Sequence, residues 1–311
     1  MSEVQAVTGP FSYTGSYIAR RLVDSGIEVR GLVRLPVTAA TPGIECRELQ
    51  FENAGLLARD LEGVSVLYNT YWIRFPRQGM TFDQAVKNIG ILARAAKRAG
   101  VGRIVHLSVS NADRNSPFAY FRGKAEAEQE IHELGPPATI IRPTLVFGRE
   151  DVLINNIVWL LRRLHVFALP GAGGYRVQPV FVDDVAKLAV RESRASGSRT
   201  IDAAAPEVFT FKQLCRLLAE AARVPALVLD TPEWAVLAAG RALSLILRDV
   251  IITPDELGAL MAETLVSHQP PEATTRLTDW LAQNGAALGR AYTSELRRHW
   301  DSKGGGGQIT K

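Results

Sequence analysis

Four residues in the stretch SVSNADRNSPFAYFRGKAEAE have the types and spacing to move a proton: Ser108, Ser110, Tyr120 and Lys124. Tyr120 and Lys124 stand four apart, hence on one helical face. A phenol titrates near pH ~10, so acid–base work at neutrality needs a cation beside it, and the Lys124 ammonium would serve. Ser108 or Ser110 could hydrogen-bond a carbonyl or hydroxyl while Tyr120 passes the proton. Tyr and Lys four apart also occur on many solvated helix faces. What points this pair at chemistry is its place after a strand ending in Ser108, where a carboxyl-end crevice forms in open α/β sheets.

A second pattern lies in VTGPFSYTGSYIARRL, residues 7–22. Gly9 and Gly15 bracket a turn between a strand and a helix, and Ser12 stands where a dinucleotide-binding loop has its middle glycine. A helix N-terminus at that turn offers unpaired N–H groups and a positive dipole end to a pyrophosphate. Gly9 allows the tight turn, and Gly15 lets helix and strand approach. Ser12 can stand in only if its backbone is in an ordinary conformation, and its hydroxyl could then donate to phosphate. At the end of the second strand, GLVRLP supplies Arg34 and no carboxylate. A guanidinium there suits a 2′-phosphate, which favours NADP, with NAD the alternative. Arg34 as a plain surface residue is the competing reading.

These residues need a scaffold, and the chain supplies one. Short β-branched runs alternate with helical patterns, as in βαβ units around a parallel sheet. Strands are predicted at EVQAVT, EVRGLV, IECREL, VSVLYNT, RIVHLS and ATIIRP. Helices are predicted at SYIARRLVDSG, NAGLLARDLEG, FDQAVKNIGILARAAKRAG and around YFRGKAEAEQEIHELG. Gly26, Gly63, Gly100 and Gly135 read as left-handed helix stops. The fold class is therefore α/β: a Rossmann-type, doubly wound parallel sheet of six strands over residues 1–150.

A smaller, mostly helical substrate-side lobe is expected over 151–300, with the strand VQPVFV and the helix DDVAKLAVRES returning to the core near 177–195. Residues 301–311 read as a disordered tail. Trp159, Tyr175, Arg176 and Trp234 could line a pocket in the lobe, although helix packing explains each more simply. Asp183 and Asp184 read as an N-cap that locks the lobe onto the core, and Arg142 as structural. The segment WAVLAAGRALSLIL, 234–247, is interrupted by Arg241 and reads as a buried or amphipathic helix in preference to a membrane-surface one.

With 311 residues and a formal net charge of +4 spread along the chain, no basic run interleaves with aromatics, which argues against nucleic acid. Cys46 and Cys215 lie far apart with no metal or disulfide spacing, and no basic leader precedes the first strand. Together these suggest a cytoplasmic protein without metal or transmembrane segment. The oligomeric state is not legible.

In order along the chain, TGxxxxxG, YxxxK, IRPTLVFG (141–148) and FVDDVA (181–186) resemble the short-chain dehydrogenase/reductase superfamily in its extended and atypical branch. VLYNTYWIRF, NNIVWLLRRL and TPDELGALMAETLVS look closest to NAD(P)H-binding epimerase-like proteins similar to the nucleotide-binding accessory subunit of respiratory complex I. The resemblance implies that Gly9, Ser12, Tyr13, Thr14 and Gly15 wrap the pyrophosphate and Arg34 the adenosine side. Gln50 stands where relatives often carry an adenine-contacting aspartate. Asn69 and Thr70 would lie beside the ribose, and Pro143 and Thr144 would flank the nicotinamide. Tyr120 and Lys124 would be catalytic, Lys124 also bonding the nicotinamide ribose. Two functions follow from it. One is an NADP-dependent oxidoreductase or epimerase acting on an unnamed small molecule. The other is a non-catalytic NADPH-binding structural or sensor protein, with peripheral membrane or partner contact.

Overall fold

The computed structural model describes residues 3–34 and 41–299. The described residues divide into two compact units: one runs to Pro143 and takes back Val182–Ala203, and the other holds Thr144–Phe181 and residues 204–299.

The first unit alternates β1 (Val4–Thr8), α1 (Tyr13–Asp24), β2 (Glu28–Val33), β3 (Ile44–Glu48), α2 (Ala54–Asp60), β4 (Val64–Asn69), α3 (Phe82–Arg98), β5 (Arg103–Leu107), α4 (Ala119–Leu134) and β6 (Ala138–Pro143). Among the described residues the strands form a seven-stranded sheet in the order Arg199–Ala203, β6, β5, β4, β1, β2, β3, every pairing parallel. A parallel sheet covered on both faces reads as apolar runs, not alternation. Ala6, Val7, Leu32, Leu67, Ile104, Val105 and Ile140 are accordingly buried. Ile89 and Leu92 of α3 and Ile131 of α4 pack with Ala6, Leu32, Leu67, Ile104 and Ile140 in one core.

Three of the glycine stops have positive φ: Gly26, Gly63 and Gly100 at 77°, 75° and 77°. Gly135 does not; it is extended, with φ −90° and ψ 179°. Pro136 follows it, and the ring of a proline drives the preceding residue out of helical space.

The seventh strand, Arg199–Ala203, adds to the six expected. It pairs with β6, with Arg199 opposite Thr139. Two of its five residues are exposed, and distant groups hold it in place. The Arg103 guanidinium on β5 donates to Thr139 Oγ1 (3.1 Å) and to the carbonyls of Ala195 and Gly197, while buried Glu192 receives Arg199. No local periodicity encodes such an anchor.

The preceding helix, Val182–Glu192, lies against α1, and Arg21 donates twice to the Asp183 carboxylate, at 2.8 and 2.5 Å. Asp183 and Asp184 therefore fall inside the first turn, not at an N-cap. They suit the helix dipole there, and Asp183 ties two helices of one unit.

VQPVFV is also not one strand. Arg176–Val177 runs antiparallel to Phe209–Thr210, while Pro179–Phe181 runs parallel to Leu145–Phe147. Gln178 makes the break: its Nε2 donates to the Ala205 carbonyl at 2.7 Å and its Oε1 accepts from the Ser267 N–H at 2.8 Å. Both lie in the second unit, whose core gathers Phe147, Ile154, Leu161, Phe211, Leu214 and Leu281. There Trp159 meets Tyr292, Tyr175 stacks on Phe211, and Arg176 pairs with Glu263. Trp234 packs on nothing comparable and is 74% exposed. The predicted tail at 301–311 lies outside the described residues.

Candidate functional site

The sheet order places β1 between β2 and β4, so the chain reverses its winding direction there; a crevice at such a switch point is where open α/β sheets bind ligands. Both sequence patterns border it within the first unit.

At the first turn, Gly9 has φ +61°, donates its N–H to the Leu32 carbonyl (2.9 Å) and accepts from the Ser12 N–H (2.9 Å). A Cβ on Gly15 would lie 2.1 Å from the Gly9 carbonyl oxygen, so the helix start and the turn touch through backbone. Both outer glycines are thus required by geometry. Ser12 caps α1 with φ −74° and ψ 168°, an extended conformation open to any residue. Its hydroxyl makes no cap bond and stands 3.5 Å from Thr70 Oγ1. The first turn of α1 carries no acidic side chain, so its dipole end is uncompensated from within the helix. Tyr13 meets Tyr17 edge-on, and Thr14 is half-buried beside it. These residues fit a bound pyrophosphate.

The floor of this crevice is a buried polar network. Thr8 Oγ1 donates to Asn69 Oδ1 (3.1 Å) and accepts from the Thr70 N–H (2.7 Å), while the Thr70 hydroxyl donates to the Thr8 carbonyl. Asn69 Nδ2 faces His106 Nδ1 at 3.0 Å. Burial, then the Lys124 charge, push the His106 pKa well below the usual imidazole range. Asn69 is 1% exposed with both ends of its amide engaged, so it positions Thr8 and Tyr71 instead of reaching outward. Arg34 is exposed just past β2, close enough for its charge to oppose the burial that raises the Tyr71 pKa. The Gln50 amide donates to the Glu48 carboxylate two residues back.

On the other side, the start of α4 brings Tyr120 and Lys124 to one indole. Trp72 lies under the Lys124 ammonium, 4.8 Å from Nζ to the ring centroid, and meets Tyr120 edge-on at 6.1 Å. Phe82 stacks on Trp72 and also takes the Tyr120 edge. Lys124 donates to the Leu107 carbonyl at 2.8 Å and is buried, which pushes its pKa down to about 7 against the raising effect of Glu128. Ser108 donates to Glu128, whose carboxylate also takes two bonds from Arg142, at 2.9 and 2.5 Å. Arg142 is structural in this sense. Ser110 is buried and its N–H donates to the Pro143 carbonyl at 2.9 Å. Pro143 closes the first unit and Thr144 opens the second.

Three residues of this cluster were not singled out in the sequence: Trp72, Phe82 and Glu128. Glu128 had a signal, since it continues the four-residue spacing of Tyr120 and Lys124. Trp72 had none, because its loop meets α4 only through the fold.

The family described as NAD(P)H-binding matches residues 12–151. Subunit 9 of the NADH dehydrogenase (ubiquinone) 1 alpha subcomplex from Arabidopsis thaliana, a mitochondrial protein, is 27% identical over 285 residues, 85% of this chain and 71% of that one. Its Mus musculus counterpart, also mitochondrial, is 28% identical over 61% of this chain; the aligned stretch spans only 53% of the mouse protein. Among solved structures, triphenylmethane reductase from Citrobacter sp. covers 92% of this chain and all of its own length, with TM-score 0.73 and 17% identity. A nucleoside-diphosphate-sugar epimerase from Staphylococcus aureus covers 90% of this chain and 100% of its own, with TM-score 0.70 and 17% identity.

The mitochondrial relatives overturn the cytoplasmic location expected from the sequence. Two separated, unbridged thiols report a reducing environment, which does not name a compartment. Residues 12–151 therefore match the family described as NAD(P)H-binding, in a chain similar to subunit 9 of the NADH dehydrogenase alpha subcomplex and sharing its fold with a sugar-nucleotide epimerase and a triphenylmethane reductase.

Proposed function

We propose that the first unit holds NADPH as a resident ligand, with its pyrophosphate on the N-terminus of α1 and its 2′-phosphate on Arg34, and that the chain serves by binding it. The observation that carries this reading is the turn itself: Gly9 and Gly15 in backbone contact, Ser12 in an ordinary conformation, and a helix start free of carboxylates. The kinship with NADH dehydrogenase subunits supports service within a larger assembly. When bound, the dinucleotide would supply hydride chemistry.

Catalysis by Tyr120 and Lys124, as an oxidoreductase or epimerase, is the second reading, favoured by their shared contact with Trp72. Against it, Lys124 is spent on the Leu107 carbonyl and Ser108 on Glu128.

Calorimetric titration tests the first reading. NADPH should bind more tightly than NADH, and Arg34→Ala should cost NADPH about tenfold or more, the worth of a charged hydrogen bond, while sparing NADH. Failure of both nucleotides to bind, or tighter binding of NADH, would overturn it. A substrate screen monitored by NADPH absorbance, with Tyr120→Phe beside the native chain, tests the second.

A further inference from the structure

The helix Glu233–Leu247 in the second unit is apolar on two sides and covered on one. Its inner stripe runs through Val236, Gly240, Leu243 and Leu247; Gly240 is buried against Ile252, where an added Cβ would meet Ile252 Cγ2 at 2.9 Å. The opposite stripe runs through Trp234, Ala238, Arg241 and Leu245, with Ile246 beside it. Trp234, Leu245 and Ile246 are 74%, 82% and 76% exposed. A helix apolar all round is normally buried, and this one lies on the surface. The strand that feeds it, Leu227–Thr231, leaves Leu227 and Leu229 exposed as well.

Charge decides what would cover this face. The helix opens on one exposed carboxylate, Glu233, off the outer stripe; from Trp234 to Arg248 there is no further Asp or Glu, and Arg241 and Arg248 are both exposed. The next carboxylate, Asp249, is buried and receives the Tyr292 hydroxyl at 2.7 Å and the Glu295 N–H at 2.8 Å. An outward stripe of indole and aliphatic side chains whose own charge is the Arg241 guanidinium matches an anionic bilayer. Indole sits at headgroup level, aliphatic groups enter the acyl boundary, and arginine meets phosphate. A second copy laid on the same stripe would bring like charges together. At 15 residues the helix is too short to cross a bilayer, and no described helix is long and apolar enough to do so.

We infer that this helix docks the second unit onto an anionic membrane surface, lying in the plane of the headgroups. The inference does not depend on the nucleotide reading.

Vesicle flotation of the full chain tests it, with phosphatidylcholine alone and with phosphatidylserine added. The chain should float with the anionic vesicles and not with the neutral ones, less so as salt rises. Leu245→Glu should weaken this by about tenfold or more, and Arg241→Gln by roughly fivefold. Both residues are exposed, so melting temperatures should hold, which separates lost docking from lost fold. No flotation, or equal flotation of native chain and variants, would overturn the inference. So would a concentration-dependent dimer in light scattering that Leu245→Glu abolishes while vesicles stay unbound, because the face would then be a self-association surface.

Discussion

The turn between β1 and α1 and the start of α4 face the same crevice, yet they spend their polar groups in opposite ways. At the turn, backbone fixes everything: Gly9 and Gly15 touch, Ser12 is unstrained, and the helix end carries no carboxylate of its own. At α4, side chains consume one another, with Ser108 on Glu128, Glu128 on Arg142, and Lys124 on a carbonyl and an indole. A site whose shape is set by backbone has room for a changed side chain, and Ser12 sits there in an ordinary extended conformation. One built from mutually bonded side chains is rigid, but little of it is left over for a substrate. The difference supports the proposal that this chain serves by binding.

The sharpest way to break the contrast is Gly15→Ala. Its methyl cannot share space with the Gly9 carbonyl 2.1 Å away, so denaturant unfolding should show a loss of about 3 kcal/mol and NADPH binding should vanish. Ser12→Gly should cost no more than about 1 kcal/mol, because Ser12 already has an ordinary φ and glycine adds only unfolded-state entropy. Equal effects would mean that the turn is not what the backbone says it is.

Next in size is Glu128→Ala, which strands Arg142 and Ser108. A cost near 3 kcal/mol is expected, largely restored in the double variant Glu128→Leu with Arg142→Met, since an apolar pair of similar volume replaces a buried ion pair at little cost. If the double variant stayed as unstable as the single one, the cluster would be doing more than holding itself together.

Lys124→Met gives a smaller shift than Glu128→Ala and the most specific signature. Burial holds the folded pKa of Lys124 at about 7 against its ordinary 10.5, so between those pH values the unfolded chain binds more protons and native stability rises with pH. Replacement by Met should flatten that rise and stabilise the protein at pH 7 by about 1–3 kcal/mol. Chemical denaturation at pH 7 and again near pH 9.5, native chain beside variant, reads it directly. An unchanged slope would mean that the ammonium is solvated in the folded state.

Much of the first unit was legible because its signals are local. Glycines before and after a helix, apolar runs of strand length and a four-residue Tyr–Lys spacing each report a dihedral preference or a period that neighbours in sequence enforce. Where a distant residue decides, the reading failed. Arg199–Ala203 is a strand because Arg103 and Glu192 anchor it, VQPVFV breaks because Gln178 bonds two remote backbone groups, and Asp183 pairs with Arg21 across 162 residues.

By itself, then, the sequence determined the doubly wound sheet, the turn at Gly9–Gly15 and the face shared by Tyr120 and Lys124. Helical and extended periods, and the φ that glycine permits, are properties of a few adjacent residues. Tertiary structure alone decided that Lys124 is buried over Trp72, that Ser108 answers to Glu128, and that the outer stripe of Glu233–Leu247 faces outward. Each of these depends on which surface a side chain meets, and that surface is assembled from residues far away along the chain.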